Sequence, residues 1–230
     1  MPQHPQHTDR AYETQLGKLR SCLLEMGGLV EDQIAQAVRS LTERDPVLAH
    51  ATVDRDHTVN RLDVEIDELS MKLIALHQPA ARDLRLITTA LKITTDLERI
   101  GDLATHIAER AIELTAEPPL KTYVDIPRMA ELASSMVHRS LDAFVREDIE
   151  LALQVCGSDD TIDGLHDRLL EELLSFMVED PQAISRVMRL LFISKYLERI
   201  GDHATNIAEM VIFLVKGTSI RHMDTIPREL

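Results

Sequence analysis

The sequence predicts an all-α protein made of two tandem homologous three-helix bundles, and three observations lead to this prediction. Of its 230 residues, 44% are hydrophobic but only 3% are aromatic and only 8 are glycine, a composition that favours helices over sheets. The hexapeptide Leu-Glu-Arg-Ile-Gly-Asp occurs twice, at residues 97–102 and 197–202. Around each copy, apolar residues recur at alternating steps of four and three, which is typical of helices packed in a bundle.

The repeat extends well beyond the hexapeptide. Residues 84–114 and 184–214 are identical at 15 of 31 positions when aligned at a shift of 100. Upstream, residues 56–62 align with residues 159–165 at a shift of 103, so the two parts differ in spacing by one short loop. The chain is therefore a duplication of one long unit and not a solenoid of short repeats.

Prolines and capping residues predict where the helices of each unit begin and end. Asp45-Pro46 and Asp180-Pro181 each supply a capping aspartate followed by proline at the first helical position. Gln78-Pro79 breaks the first unit at the corresponding point, and Pro118-Pro119 ends it. The predicted helices cover residues 10–44, 46–77, 81–115, 125–147, 149–178 and 181–216. The predicted segments are a disordered tail (residues 1–9), a first unit (10–117), a linker (118–124), a second unit (125–217) and a C-terminal tail (218–230).

The third helix of each unit carries small or apolar residues on two faces, so it is expected to pack against more than one neighbour. Gly101 and Gly201 lie inside these helices, where glycine costs about 1 kcal/mol relative to alanine. Close approach of a neighbouring helix would account for both glycines. Repetition inherited from the duplication would account for them as well.

Charge and composition limit the classes of function. A formal net charge of −14 opposes nucleic-acid binding, which needs a basic surface, and suits a protein that binds cations or basic partners. No apolar run is long enough to span a bilayer, and the N-terminal residues lack a hydrophobic export segment. Cys22 and Cys156 form no metal-binding or redox motif. We expect a cytoplasmic protein that meets a membrane only through its partners.

The two copies of the hexapeptide each place two carboxylates on one side of a helix. Glu98 and Asp102 are four residues apart, so their Cβ atoms lie about 6 Å from each other, and Glu198 and Asp202 repeat the pair. One such pair is common on solvated helix surfaces. Taken alone it is weak evidence for a site.

A helical hairpin brings a second set of polar side chains opposite each pair. If the chain turns near Gln78 and near Pro181, residues equally distant from each turn face each other at about 8–10 Å. Four converging oxygen-bearing side chains repel one another unless they are protonated or bound to a cation, and carboxylates and amides suit hard metal ions. The residues predicted to face the two pairs are Asp56 and Asn60 in the first unit and Asp159 and Asp163 in the second.

Several neighbouring residues were assigned by the same reasoning. His106 and Asn206 occupy matching positions one turn further on and are candidates for an additional ligand. Asp63 and Asp67 lie closer to the turn, and we interpret them as solvated surface. No glutamate is followed by histidine three residues later, so the di-iron oxidase motif is absent, and there is no phosphate-binding loop or nucleophile motif. Catalysis is not supported by any motif.

Four features together resemble the PhoU family of phosphate-specific transport accessory proteins: the doubled L-E-R-I-G-D-x-A-x-x-I, the Q-P-x-A-x-D-L-R of residues 78–85, the stretch from Met26 to Glu31, and Lys216-Gly217 with Arg221-His222. The resemblance covers residues 10–222. It implies two similar three-helix bundles with metal clusters, iron among them, on paired acidic motifs. Asn60 is neutral where that pattern has a carboxylate, so the second site is the stronger candidate. Iron, manganese, magnesium, zinc and calcium are not distinguished.

The resemblance also implies a role in regulation. Proteins similar to PhoU repress the phosphate-starvation response by contacting the ATPase of the phosphate ABC transporter and a sensor histidine kinase. We therefore expect a non-enzymatic, metal-binding adaptor that forms a homodimer. Two alternatives stay open: a carboxylate-bridged metalloenzyme, an oxidase or a phosphatase, and a structural bundle whose acidic faces bind only stray cations.

Overall fold

The chain folds into helices throughout residues 6–120 and 125–218, the part that the structure, a computed structural model, describes; side chains are described from Arg10 onward. No strand occurs in this part, which confirms the all-α class. The eight helices α1 to α8 are Gln6–Glu43, Pro46–Asp54, Asp56–His77, Ala81–Thr115, Asp125–Arg146, Ile149–Cys156, Asp159–Glu179 and Ile184–Lys216. A 3₁₀ turn at Pro181–Ala183 leads into α8. None of these helices has an apolar stretch long enough to cross a bilayer.

Each unit has a short and a long helix where one continuous helix was predicted, so the predicted helices 46–77 and 149–178 were wrong in this respect. The first break lies at Arg55, between α2 and α3, and the second at Gly157 and Ser158, between α6 and α7. At both breaks the backbone switches to three-residue hydrogen bonds, such as Arg55 N to Thr52 O at 3.3 Å and Ser158 N to Val155 O at 2.9 Å. This tighter turn restarts the helix in a new direction.

The two breaks place an acidic residue at the beginning of each long helix. Asp56 is the first residue of α3, and Asp159 is the first residue of α7. Unpaired backbone N–H groups give a helix N-terminus a partial positive charge, which favours a carboxylate there. The fold therefore stabilises an acidic side chain at the point where each long helix starts.

Capping predicted from the sequence is confirmed. Asp45 accepts hydrogen bonds from the backbone N–H groups of Val47 and Leu48 at 2.9 and 3.0 Å, and Asp180 accepts one from Gln182 at 3.0 Å. The turn at Gln78 is also confirmed, since that residue adopts a left-handed conformation with φ 46° and ends α3.

The predicted N-terminal tail was too long, because α1 already begins at Gln6 and includes residues 6–9. Most of the predicted linker and of the predicted C-terminal tail lies outside the described part, which leaves out residues 1–5, 121–124 and 219–230.

The third helices of the two units, α4 and α8, pack against each other in antiparallel orientation. Arg85 near the start of α4 donates to the carbonyl oxygen of Leu214 near the end of α8 at 3.4 Å, and Arg189 near the start of α8 reaches Glu113 near the end of α4 at 2.7 Å. The first helices, α1 and α5, pack against each other and against α4 and α8 respectively, so the two units share one continuous apolar core. The long helices α3 and α7 flank this core.

Close approach of neighbouring helices accounts for both repeated glycines. A Cβ at Gly101 would lie 3.3 Å from Cγ1 of Val59 on α3, and a Cβ at Gly201 would lie 3.0 Å from Cγ2 of Ile162 on α7. Each glycine thus lets the long helix pack tightly against the helix that carries the hexapeptide. This contact brings the acidic residues of the two helices close together.

Candidate metal-binding site

The second unit brings its four predicted acidic residues together where α7 packs against α8. We call Asp159, Asp163, Glu198 and Asp202 the second acidic face. Thr205 on α8 donates a hydrogen bond from Oγ1 to Oδ1 of Asp159 on α7 at 3.2 Å, which fixes the register of the two helices. After burial, the charge of Asp163 contributes to the raised pKa values of both Asp159 and Asp202. These carboxylates therefore share one electrostatic environment.

Burial is the main reason that protons bind tightly to this face. Burial, followed by the charges of Asp163 and Asp202, raises the pKa of Asp159 from its usual value of 3.8 to about 6, while the hydrogen bond from Thr205 opposes the change. Burial followed by the charge of Glu198 likewise raises the pKa of Asp163 and of Asp202. A cation that replaces the proton would relieve the same repulsion.

A lysine that the sequence reasoning missed lies within the second acidic face. The ammonium group of Lys195 donates to Oε1 of Glu198 at 2.7 Å and lies 2.6 Å from Oε2. The Glu198 side chain is only 12% exposed, whereas that of Lys195 is 50% exposed. The spacing of three residues between them in the sequence was a signal that could have revealed the pair, since such residues are neighbours on a helix.

The first unit assembles the corresponding first acidic face, Asp56, Asn60, Glu98 and Asp102, between α3 and α4. Asn60 donates from Nδ2 to Oδ2 of Asp56 at 2.7 Å. Burial, and then the charge of Asp102, raises the pKa of Glu98; the nearby Arg99 opposes this, and Asp56 adds to it from across the helix pair. As predicted, α3 and α4 place these side chains opposite each other.

Asp63 belongs to the first acidic face as well, so its interpretation as solvated surface was wrong. Its side chain is partly buried, its charge contributes to the raised pKa of Glu98, and burial followed by the charge of Asp67 raises its own pKa. The error arose from the position of the turn. Helix α3 ends at His77 and α4 begins at Ala81, so position 60 faces Glu98 and Asp63 lies within one helical turn of that position.

The two candidate additional ligands, His106 and Asn206, point to the contact between α4 and α8 instead of completing an acidic face. Asn206 Nδ2 lies 3.4 Å from Oδ1 of Asp96, the carboxylate that also lies 2.9 Å from Nδ1 of His203. The ring of His106 lies 5.5 Å from that of Tyr196. Since α4 and α8 are antiparallel, residues one turn beyond the acidic pair reach the other unit.

The donor atoms suit a hard cation, but their arrangement is open. Carboxylate and amide oxygens are the preferred ligands of magnesium, calcium and manganese, and Oδ1 of Asp163 is buried without a hydrogen-bond partner in the described part. No three histidine, cysteine, aspartate or glutamate side chains in residues 6–120 and 125–218 are grouped tightly enough to hold a single ion. The described side chains of neither face therefore form a preformed cage for an ion.

A separate cavity of about 330 Å³ lies away from both acidic faces, beside the end of α8. Glu147 in its wall pairs with Arg82 at 2.5 Å and with Arg20 at 3.7 Å. Because acidic Glu13 and Asp83 also line it, its charges of opposite sign largely offset each other. We assign it no ligand.

Comparison with known proteins gives a consistent result. The family model of the PhoU domain matches residues 23–111 and 126–211, once in each unit. The chain is 46% identical over 218 residues to the phosphate-specific transport system accessory protein PhoU homolog of Pseudomonas putida, covering 94% of this chain and 85% of that protein. The corresponding protein of Pseudomonas aeruginosa is 45% identical, with coverage of 94% and 90%.

Solved structures agree with the sequence comparison. The crystal structure of PhoU from Pseudomonas aeruginosa superimposes with a TM-score of 0.87 at 46% identity, covering 90% of this chain and 100% of that one. The crystal structure of the phosphate transport system regulatory protein PhoU from Streptococcus pneumoniae gives a TM-score of 0.85 at 27% identity, covering 91% and 99%. These proteins are named as accessory or regulatory proteins and not as enzymes, which confirms the prediction that the chain is not an enzyme.

Proposed function

Because the chain belongs to the PhoU family, we propose that it acts in the cytoplasm as a negative regulator of phosphate uptake and of the phosphate-starvation response. The observation that carries this proposal is that the family domain matches both units, over 23–111 and 126–211. The likeness therefore extends over the whole fold and is not limited to a shared motif. The relatives are named as accessory or regulatory proteins of phosphate transport, and repression is what we propose beyond those names.

The regulator works in this proposal as an adaptor between the ATPase of the phosphate ABC transporter and a sensor histidine kinase. A non-catalytic protein can hold a partner in one state by binding that state more tightly than the other. A contiguous patch of exposed apolar side chains often marks such a binding surface. The tip of the hairpin formed by α7 and α8 offers it, with exposed apolar side chains level with each other on the two helices: Leu174, Val178, Ile184 and Met188.

Metal binding at the two acidic faces is the second part of the proposal. Burial and then repulsion between carboxylates raise the pKa values of Asp159 and Glu98. A bound divalent or trivalent ion, with iron, manganese, magnesium, zinc and calcium all candidates, would offset that repulsion. It would also tie α3 to α4 and α7 to α8. The ion thereby stabilises the hairpins whose tips meet a partner.

The homodimer expected from the sequence remains a prediction. Sedimentation of the purified chain tests it, since a single species of twice the monomer mass supports the dimer and a monomer contradicts it. The adaptor role does not require a dimer, because the two units already duplicate each surface within one chain.

A gene deletion tests the regulatory role directly. In the deletion strain, genes of the phosphate-starvation response should be expressed in phosphate-rich medium, and the wild-type gene should silence them again. Expression that stays off in the deletion strain contradicts the proposal.

A surface variant tests the adaptor role. Replacing Leu174 and Val178 by aspartate should prevent silencing while the protein stays folded by circular dichroism, because both side chains are exposed, Val178 at 83%. The matched control is Val47→Asp on α2, which changes a residue with 76% exposure and should silence normally. Full silencing by the double variant would exclude the hairpin tip as the partner surface.

A further inference from the structure

The two units end in related hairpin tips that carry opposite charge. We call residues 68–88, from the end of α3 to the start of α4, the first tip, and residues 171–188, from the end of α7 to the start of α8, the second tip. The first tip has two carboxylates and three lysine or arginine side chains, whereas the second tip has four carboxylates and one arginine. Their formal charges are therefore +1 and −3.

The two tips lie at opposite ends of the antiparallel pair α4 and α8. The first tip includes the beginning of α4, and the second tip lies next to the end of α4, where Arg189 reaches Glu113 at 2.7 Å. Helix α4 has 35 residues, so about 50 Å separates the two tips. The chain thus presents two distant ends that differ in charge.

Two rows of apolar side chains are exposed at the second tip. Leu174 and Val178 on α7 are 48% and 83% exposed, and Ile184 and Met188 on α8 are 46% and 40% exposed. The residues of each row are four apart, so they lie on one side of their helix. Rows on two adjacent antiparallel helices border a groove, and such a groove fits the apolar side of a third, amphipathic helix.

The first tip lacks half of this apolar surface. Ala75 and Thr88 stand at the positions that correspond to Val178 and Met188. Lys72 is exposed near the end of the same helix as Ala75. The first tip is therefore both less apolar and more basic, although the two tips belong to the same repeat.

Three carboxylates flank the apolar row of α7. Glu171, Glu172 and Glu179 are exposed, and none of them forms an ion pair within the described part of the chain. Glu179 is the last residue of α7, where the partial negative charge of the helix end makes a carboxylate unfavourable. Asp180 differs from them, since it lies 3.8 Å from Arg186. The second tip therefore combines exposed apolar surface with uncompensated negative charge.

We propose that the second tip binds a basic amphipathic helix of a partner protein. The apolar side of that helix lies in the groove, and its lysine or arginine side chains lie beside Glu171, Glu172 and Glu179, because complementary charge selects the partner. This inference rests on the adaptor role proposed above and adds the chemistry of the partner. An anionic lipid surface does not fit the second tip, since the same carboxylates repel it.

Peptide binding to the full chain tests the proposed chemistry. The probe is a fluorescent helical peptide of about 14 residues, roughly 21 Å long, with leucine at every third or fourth position and lysine elsewhere. A comparison peptide has glutamate in place of each lysine. Fluorescence anisotropy at about 0.15 M salt, which screens long-range attraction, should show binding of the lysine peptide. The glutamate peptide should bind at least about tenfold more weakly.

Two variants of the second tip separate the apolar contribution from the charge. Leu174→Ser with Val178→Ser removes apolar surface at constant charge and should weaken binding of the lysine peptide about tenfold. Glu171→Lys with Glu172→Lys and Glu179→Lys should weaken it by a similar factor and should allow the glutamate peptide to bind. Circular dichroism verifies that each variant is folded.

A matched control makes the same change of net charge at other places. Glu25→Lys with Glu131→Lys and Glu150→Lys reverses three exposed carboxylates on α1, α5 and α6 and should bind the lysine peptide within about twofold of the wild type. Equal weakening in this control and in the charge-reversed tip would show that the peptide follows total charge, which overturns the proposal. Failure of the wild type to bind the lysine peptide overturns it as well.

A second copy of this chain is the alternative occupant, because the first tip is basic and still partly apolar. Sedimentation distinguishes the two cases. If charge reversal of the second tip converts a dimer into a monomer, the tip holds another copy and the proposal is overturned. An unchanged oligomeric state supports a different protein as the partner.

Silencing in cells connects the second tip with regulation. The charge-reversed tip variant should fail to silence the phosphate-starvation genes in phosphate-rich medium, while the matched control should silence them. Normal silencing by the tip variant would overturn the proposal. The deletion strain decides the regulatory role separately: if its starvation genes stay off, the proposed function is rejected, and the peptide titration still decides what the second tip binds.

Discussion

At the scale of single residues, each acidic face holds partly buried carboxylates that repel one another. Asp159 shows this most clearly, since burial and two neighbouring carboxylates raise its pKa to about 6. The folded state then binds a proton more tightly than the unfolded chain, in which an aspartate titrates near its usual 3.8. Stabilisation from protonating Asp159 is complete below about pH 4 and is lost as the pH rises through about 6.

The pH dependence of stability provides the corresponding test. In chelator, the free energy of unfolding should fall between about pH 5 and about pH 7.5, and Asp159→Asn should reduce that fall by about 1 kcal/mol, after allowing for solvent screening. Asparagine keeps an acceptor oxygen for Thr205. Urea unfolding at the two pH values measures the effect, with Asp167→Asn, an exposed aspartate on the same helix, as control. An unchanged fall in Asp159→Asn would show that the carboxyl group titrates normally.

How many of the site residues could be predicted depends on the distance over which they interact. The pair Glu98 and Asp102 followed from spacing along one helix, a local property. Assigning Asp63 required knowing the turn to within one or two residues, since one helical turn separates it from Asn60. The position of Gln33 next to Gly101 could not have been assigned from the sequence, because Gln33 lies on α1, far away along the chain.

At the scale of helices, two left-handed residues end α1 and α5. Arg44 and Glu147 follow these helices at corresponding positions, with φ 54° and 53°. Arg44 donates from one guanidinium nitrogen to the carbonyl oxygens of Leu114, Thr115 and Glu117 at 3.2, 2.9 and 2.5 Å. It therefore adds a donor to carbonyl groups at and just beyond the end of α4, where helical hydrogen bonding runs out, and its positive charge is favourable there. Glu147 cannot do this for α8.

Substitution of Arg44 should show that this contact stabilises the first unit. Arg44→Ala should lower the free energy of unfolding by about 2–3 kcal/mol, because charge-assisted bonds to partly buried carbonyl groups are lost. Arg44→Gly should lower it less, since glycine relieves the left-handed backbone strain. Arg39→Ala removes an exposed ion pair and should change stability by less than about 0.5 kcal/mol. Equal losses for Arg44→Ala and Arg39→Ala would contradict the capping role.

Helix ends were predictable where proline or a capping side chain marks them, as at Asp45 and Gln78. The breaks that separate α2 from α3 and α6 from α7 were not. At Arg55 neither glycine nor proline signals the change, and the backbone there keeps right-handed helical angles. Only the hydrogen-bond pattern tightens, which a pattern of apolar residues does not reveal.

At the scale of the whole molecule, duplication has produced two units that share one core. The third helices α4 and α8 pack in antiparallel orientation, and the first helices α1 and α5 also meet. The sequence predicted the two units and the two buried faces of each third helix. It did not identify which helices would cover them, since contacts between units depend on surface shape at individual positions.

Two adjacent glycines in α1 give the sharpest test of the contact between units. A Cβ at Gly27 would overlap Cδ1 of Leu141 on α5, whereas a Cβ at Gly28 would meet no atom within 4 Å. Alanine at either position gains about 1 kcal/mol of helix propensity. Gly28→Ala should therefore stabilise the protein, while Gly27→Ala should destabilise it by about 1–2 kcal/mol, since overpacking in a core costs more than that gain. Urea unfolding measures both.

A double-mutant cycle shows whether Leu141 is the cause. Leu141 is 4% exposed, so Leu141→Ala alone should destabilise the protein by about 2–5 kcal/mol through the cavity that it leaves. In the combined variant with Gly27→Ala, the new methyl group fills part of that space. The double variant should therefore lose less stability than the sum of the two single losses. Additive losses, or equal effects of Gly27→Ala and Gly28→Ala, would mean that α1 and α5 do not meet at this point and that the units are held together by α4 and α8 alone.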